Sequence, residues 1–345
     1  MPTINRSELL RHLECVQPGL TSHDAIQQSS CFAFFDGYIY TYNDEITCHC
    51  PSPLGKSVEG AVQASSLLAL LRKMTEIDIT VEVGDGELLI RGKNKRAGVR
   101  MESKIELPIK TIERPEVWHR LPDDFCEAVQ IVHQCAAQAE TPFVATCVHI
   151  HPKWIEACDD RQLCRWNTKM GIKTGMLVRR ASIKHIPALG MTEFGETEKW
   201  LHFKNDNDLV LSCRRMVQEF PNLSKVLSEN KGSPTQLPKG LEEAADKANV
   251  FSSENDMNLV QVDLQPGKIR IRGKGASGWF TESKKVQYKG NSFSFLIPPA
   301  LLSDLARKHS ECMLSQDRLK IDTGKYRYVS CLSKPKQKEK EKGEE

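Results

Sequence analysis

The residues best suited to chemistry are thiols, imidazoles and one glycine-rich run. Cys48 and Cys50 stand one residue apart, as do His149 and His151, with Cys158 and Cys164 downstream. On a strand this spacing puts both members of a pair on one face. No C-x-x-C or H-E-x-x-H accompanies them, so neither zinc nor any other cofactor is expected. Gly273-Lys274-Gly275-Ala276-Ser277-Gly278 spells G-x-G-x-x-G. That run cradles a phosphate only where it follows a strand and opens a helix. Trp279-Phe280-Thr281 continues as strand, which makes the run a hairpin turn. His133 and His185 fall in helical segments, and spacing singles out no paired carboxylates and no Ser/His/Asp set. Catalysis is not expected.

The elements that carry these residues repeat. The chain has 345 residues, 27% charged and 39% apolar, enough for two or three domains at roughly 100–200 residues each. No apolar run approaches the roughly 20 residues that cross a bilayer. Met1 to Leu10 has no apolar core, so no export signal is expected and the chain reads as soluble and intracellular. In a reducing compartment the twelve cysteines are free thiols, and buried ones act as small hydrophobes. With 48 basic and 45 acidic residues the net charge is +3, so a nucleic-acid partner would need its cations gathered on one surface.

Six helices are predicted: Ser7 to Val16 with Ser7 as N-cap, Val62 to Met74, Pro122 to Ala137, Val178 to about Leu189 with Pro187 kinking or ending it, Pro238 to Phe251, and Pro298 to Cys312. Their starts recur at a period of about 58 residues, the signature of an internal repeat. Between them the pattern turns to period 2. Cys31 to Thr41, Ile77 to Val83, Glu87 to Gly92, Cys147 to Cys158, Trp200 to Phe203, Leu209 to Cys213, Val260 to Leu264 and Lys268 to Arg272 read as strands. Leu89-Ile90-Arg91-Gly92-Lys93 and Arg270-Ile271-Arg272-Gly273-Lys274 nearly repeat one another. Each unit is a helix plus an antiparallel meander. Pairs of units give three domains, 1–117, 118–234 and 235–333, followed by a charged tail, 334–345, with nothing to bury.

Several passages resemble the bacterial-type DNA sliding clamp, the beta subunit of the replicative polymerase. They are Thr3-Ile4-Asn5-Arg6-Ser7-Glu8-Leu9-Leu10, Leu121-Pro122-Asp123-Asp124-Phe125, Leu237-Pro238-Lys239-Gly240-Leu241 and Phe220-Pro221-Asn222-Leu223-Ser224-Lys225-Val226-Leu227. Ala157-Cys158-Asp159-Asp160-Arg161-Gln162-Leu163 stands where the family has Ala-Thr-Asp-Gly-His-Arg-Leu. The resemblance covers about residues 3–332. It implies an α+β fold of three tandem clamp domains, each two helices plus antiparallel sheets, forming half of a ring that a second chain closes head to tail around double-stranded DNA.

A ring holds DNA by topology and needs only sequence-independent phosphate contacts. Candidates off the apolar stripes of the repeated helices are Arg72, Lys73, Arg179, Arg180, Lys184, Lys247, Arg307 and Lys308. The family's cleft for short peptides of the replicative polymerase, the clamp loader and repair proteins maps onto Phe143, Cys158, Asp160, Arg161, Gln162, Leu163, Pro221, Lys225, Val226, Val329 and Cys331. Asp160-Arg161-Gln162 departs from the family's Gly-His-Arg, so specificity is expected to differ. Val250 and Phe251 match a segment of the subunit contact and would meet the partner near Lys95 to Val99, giving a homodimer. The resemblance implies a non-enzymatic, cytoplasmic, nucleoid-associated processivity factor with no membrane partner. Two other readings stay open on the residues alone: a monomeric clamp-fold scaffold that binds peptides or nucleic acid, and a metal- or thiol-dependent enzyme.

Overall fold

A computed structural model describes residues 3–21, 26–138, 142–254 and 258–335. Most of the expected tail, residues 336–345, lies outside them. The chain forms two compact units, one of Met1–Ala157 with Asn167–Phe220, the other of Cys158–Trp166 with Pro221–Glu345. Among the described residues no helix is long and apolar enough to cross a membrane.

The helices come in pairs. In the first unit Arg6–Cys15 packs on Ala64–Lys73, and Phe125–Val132 packs on Ile186–Leu189; in the second, Leu241–Ser252 packs on Pro299–Lys308. Four of the helices bury apolar residues at helical spacing: Leu9 and Leu13, Leu67 and Leu71, Phe125, Val129 and Val132, and Leu241, Ala244, Ala245 and Ala248.

The ends differ from expectation for local reasons. Asn5, not Ser7, caps the first helix: its side chain accepts from the Glu8 N–H at 3.1 Å, and helical geometry already begins at Arg6. Val62 and Val178 belong to the strands Gly60–Gln63 and Met176–Arg179. The fourth helix is two single turns, Arg180–Ile183 and Ile186–Leu189, with Pro187 in the first turn of the second, where a missing N–H costs nothing. Cys312 sits in the strand Glu311–Leu314 rather than in the sixth helix. Cys31 to Thr41 is two strands, Cys31–Phe35 and Tyr38–Tyr42, folded back at Asp36 and Gly37 with φ of 48° and 79°. Those left-handed values suit a two-residue hairpin turn.

In the first unit an unbroken series of antiparallel pairings joins distant parts of the sequence. Cys31–Phe35 pairs with Tyr38–Tyr42, which pairs with Ile46–Pro51, and Ile46–Pro51 pairs with Val210–Met216, for example His49 opposite Val210 and Thr47 opposite Ser212. Val210–Met216 then pairs along Trp200–Lys204 and, at its far end, with Met176–Arg179. The second unit repeats the device. Gln162–Asn167, from the middle third of the sequence, pairs with Tyr326–Cys331, placing Leu163 opposite Val329.

The second unit also explains the glycine-rich run. Trp279–Lys285 continues as a strand paired with Lys268–Lys274, so the run is a hairpin turn. A Cβ on Gly273 would run into the carbonyl of Ala248, and one on Gly275 into the carbonyl of Phe251, both on the helix Leu241–Ser252. These glycines let a helix lie directly on a strand. Gly273→Ala is expected to cost about 1–3 kcal/mol, since only backbone stands in the way. Urea unfolding reads this, and an unchanged midpoint would refute it.

Two sheet histidines give the first unit a pH dependence. Burial, then the nearby Arg114, pushes His49 down to about 4. Burial, then His49, pushes His202 down to about 4 as well. An unfolded imidazole titrates near ~6.5, so between about pH 6.5 and 4 the unfolded chain binds more protons than the folded one. Stability is full above this window and falls as pH drops through it. Heat scans should show the melting temperature declining below about pH 6.5, and less steeply in His202→Gln. A flat profile would contradict the burial of both rings.

Candidate nucleic-acid and partner interface

The cations assigned to the helices fall into three environments. In two helix pairs a last-turn arginine reaches across to a carboxylate of its companion. Arg72 Nη2 lies 2.9 Å from Glu14 Oε1, and Arg307 Nη2 lies 2.7 Å from Asp246 Oδ2. All four groups are about half exposed. Lys308 pairs with Asp304 one turn back at 3.2 Å, and Lys247 with Glu282 at 3.5 Å. Exposed pairs of this kind contribute at most about 1 kcal/mol, so these cations exchange a carboxylate for a phosphate at little cost. Lys73 and Lys184 are exposed and have no ion pair among the described residues. Arg11, exposed on the first helix, escaped the sequence reading because the apolar stripe, not charge, defined that helix.

Arg179 and Arg180 are structural as well as cationic. The Arg179 side chain is only 11% exposed; it pairs with Glu45 at 3.4 Å, donates to Thr146 Oγ1 at 2.9 Å and covers the Phe143 ring at 4.7 Å. Arg180 donates to the carbonyl of Ala136 at 2.5 Å. With Lys184, His133 and Thr146 they line a cleft of about 350 Å³. His133 donates from Nδ1 to the Val129 carbonyl at 2.7 Å, and burial, with Arg180 and Lys184 nearby, pushes its pKa down. A neutral imidazole and three cations make this cleft suited to an anion.

The residues assigned to a peptide cleft divide between the two units. Phe143 belongs to the first, in the short helix Phe143–Thr146 under Arg179. The rest lie in the second. The helix Ser224–Ser228 packs on the strand Tyr326–Cys331, and Arg165 donates to Ser224 Oγ at 3.2 Å. Leu163 and Val329, opposite each other on adjacent strands, are buried at 9% and 3% exposure. Pro221, Lys225, Arg161, Asp160 and Cys331 are exposed, and Val226, Gln162 and Cys158 are half-buried. Asp159 Oδ1 accepts from the backbone N–H groups of Arg161 and Gln162 at 2.8 and 2.7 Å, fixing the turn. Tyr328 donates to Gln162 Oε1 at 2.9 Å.

One residue that spacing did not reveal holds this surface. Lys320 is 4% exposed, and its Nζ donates to the carbonyls of Leu227 and Glu229 at 2.8 and 3.1 Å and to Asn230 Oδ1 at 2.8 Å. Burial lowers its pKa. A lysine in the middle of a strand gave no signal of this, because its partners lie about ninety residues away in the sequence.

Val250 is 64% exposed and Phe251 half-buried. Phe251 lies under the turn at Gly278, so Trp279, 69% exposed, extends the same apolar patch. Trp279 heads the strand Trp279–Lys285, whose only strand partner among the described residues is Lys268–Lys274. In the first unit Arg96–Glu102 pairs with Glu87–Arg91, and on its other edge only Met101 and Glu102 are paired among the described residues.

The thiols and imidazoles with chemical potential serve the fold. Burial pushes Cys50 up to about 12 and holds Cys48 and Cys213 well above the usual thiol range. His149 bonds Glu156 at 2.8 Å, and His151 stacks on Trp154 at 3.6 Å between ring centres. Among the described residues no group of three or more His, Cys, Asp or Glu side chains is placed to hold a metal ion.

The sequence matches no protein-family model and no curated protein. The structure is similar to several solved ones. A sliding clamp, the DNA polymerase III beta subunit of Bartonella birtlesii bound to griselimycin, has a TM-score of 0.83 at 15% identity, over 96% of this chain and 99% of that one. The beta subunits of Thermotoga maritima and Pseudomonas aeruginosa give 0.81 and 0.79, each at 15% identity and with the same coverage. The chain has the α+β sliding-clamp fold over nearly its full length.

Lys320→Met removes three hydrogen bonds and strands two buried carbonyls. It is expected to cost about 2–4 kcal/mol of stability, at ~1 kcal/mol or more for each bond. Thermal unfolding measures this, and a loss below about 1 kcal/mol would mean water replaces the ammonium at no cost.

Proposed function

We propose that this protein is a DNA sliding clamp: a non-enzymatic ring of two chains that encircles duplex DNA and tethers the replicative polymerase. The observation that carries this is the clamp fold across 96% of the chain. The three helix pairs spaced along it support the same reading. We assign three modules per chain, 1–117, 118–234 and 235–333, their helices facing the DNA.

Topology does the holding. The inner cations then need only weak, sequence-independent contact with phosphates, because a strong grip would stop sliding. Half-exposed pairs such as Arg72–Glu14 and Arg307–Asp246 suit this, with Lys73, Lys184, Lys247 and Lys308 beside them. Arg180 offers a further contact through the cleft it lines, and Arg179 holds that cleft's wall. A ring made from two chains needs matching open edges. Trp279–Lys285, with the patch of Val250, Phe251 and Trp279, supplies one, and Lys95 to Val99 of the partner chain supplies the other by strand addition. Around the helix Ser224–Ser228, half-buried Val226 and exposed Pro221, Lys225 and Cys331 provide apolar and polar groups for a short extended peptide from the polymerase, clamp loader or repair proteins.

The mass in solution should be that of two chains, and the protein loaded on nicked circular DNA should stay bound while that on linear DNA slides off. Equal loss from both forms would overturn the reading. Neutralising Arg72, Lys73, Lys184 and Lys308 to Gln should shorten retention on circles at unchanged melting temperature. It should also flatten the salt dependence, with a log–log slope shallower by about 0.9 for each phosphate that is no longer neutralised. Val250→Glu combined with Trp279→Ser should give a folded single chain by light scattering; a persistent dimer would place the subunit contact elsewhere.

A further inference from the structure

The first unit contains a cavity that none of these roles uses. Its floor is the sheet face where Tyr38–Tyr42, Ile46–Pro51, Val210–Met216 and Trp200–Lys204 run side by side. Register sets Tyr40, His49, Val210 and Lys204 in one cross-strand row, and Thr47, Ser212 and His202 in the next. Its roof is the strap that follows the 3₁₀ turn Ile109–Thr111, carrying Ile112, Arg114, Pro115 and Trp118 over that face. The enclosed space is about 290 Å³, the small end for a ligand site and room for one flat ring system with a small substituent.

Most polar groups of the cavity are already satisfied. His202 holds Ser212 Oγ at 2.7 Å through Nδ1 and Thr197 Oγ1 at 3.3 Å through Nε2. Thr47 donates to the Thr41 carbonyl at 3.2 Å. Lys204 pairs with Glu193 at 2.7 Å and lies over the Trp118 ring at 4.9 Å. Glu113 accepts from the Lys199 N–H at 3.5 Å. His49 is not satisfied in this way. Its ring stacks on Tyr40 at 5.1 Å, yet neither ring nitrogen has a hydrogen-bond partner among the described residues. A neutral imidazole there carries one donor nitrogen and one acceptor nitrogen, which point in different directions. The charges around the cavity balance, with Arg114 and Lys204 against Glu113 and Asp208, so nothing in the lining favours a charged ligand.

We propose that this cavity is a binding site for a neutral, nucleobase-sized heteroaromatic ring, held between the Trp118 strap and the sheet and hydrogen-bonded through one polar group to a ring nitrogen of His49. Such a ring gives one His49 nitrogen the hydrogen bond that it lacks. Its faces suit walls of aromatic and aliphatic side chains. The site needs neither DNA nor a second chain, so its test is independent of the clamp reading.

The test is titration of the full chain with adenosine and uridine, followed by NMR of histidine-labelled protein. Saturable one-to-one binding should move the His49 ring signals more than those of any other histidine. Affinity should fall at least tenfold in His49→Phe, which keeps the stack on Tyr40, and in Trp118→Leu, which thins the strap and secures the test should the first variant not fold. Adenosine 5′-monophosphate should bind no tighter than adenosine, and toluene, with no polar edge, at least tenfold more weakly. No shift at His49 up to millimolar nucleoside, binding unaltered in both variants, or tenfold tighter binding of the monophosphate would each overturn the proposal.

Discussion

Backbone pairing between strands far apart in the sequence is the interaction on which this molecule rests. In the first unit Ile46–Pro51 bonds to Val210–Met216, joining segments more than 150 residues apart. In the second unit Gln162–Asn167 is lent to the sheet that ends the chain. Strands joined in this way pair their backbone N–H and C=O groups across the seam instead of leaving them as open edges. Helices packed on such a sheet are set by it, which is how short and partly irregular helices such as Arg180–Ile183 keep their place. The cavity under the Trp118 strap is a second product of the seam, since its floor exists only where the two segments meet.

Electrostatics enters as adjustment rather than as support. The interhelical pairs Arg72–Glu14 and Arg307–Asp246 each use a last-turn arginine and stay half exposed. In two places a buried charge is held by several partners at once. Lys320 fixes the turn after Ser224–Ser228 through three acceptors, and Asp263 is ringed by Gln261, Arg272 and Ser294. In both places charge specifies a backbone path that apolar packing would leave loose.

The repeated helices are legible in the sequence because apolar residues at helical spacing need no partner to be recognised. Their ends are less so: Asn5 and Ser7 are both good caps, and only the start at Arg6 decides between them. Strands such as Ile46–Pro51 give little signal because burial on both faces erases the alternation that marks a strand. The glycine-rich run reads as a turn, but the reason for its glycines lies in a helix some twenty residues upstream. Of the surface cations, residue type and helix position are readable, whereas the inward turn of Arg179 is not, since Glu45, Thr146 and Phe143 are brought to it by the fold. Lys320 and His49 show the same limit, because what makes each informative is a long-range neighbour or the want of one.

The strand Trp279–Lys285 presents a row of open backbone groups headed by an exposed tryptophan. Such a row invites any extended chain to add on, and so carries the seed of fibrous aggregation. Its far end is guarded: Lys284 is tied to Glu282, and Lys285 projects from the edge. An intruding apolar strand would have to strip water from these ammonium groups, while a strand carrying its own carboxylate at that end would not. The same few residues thus keep the newly made polypeptide from polymerising through this edge.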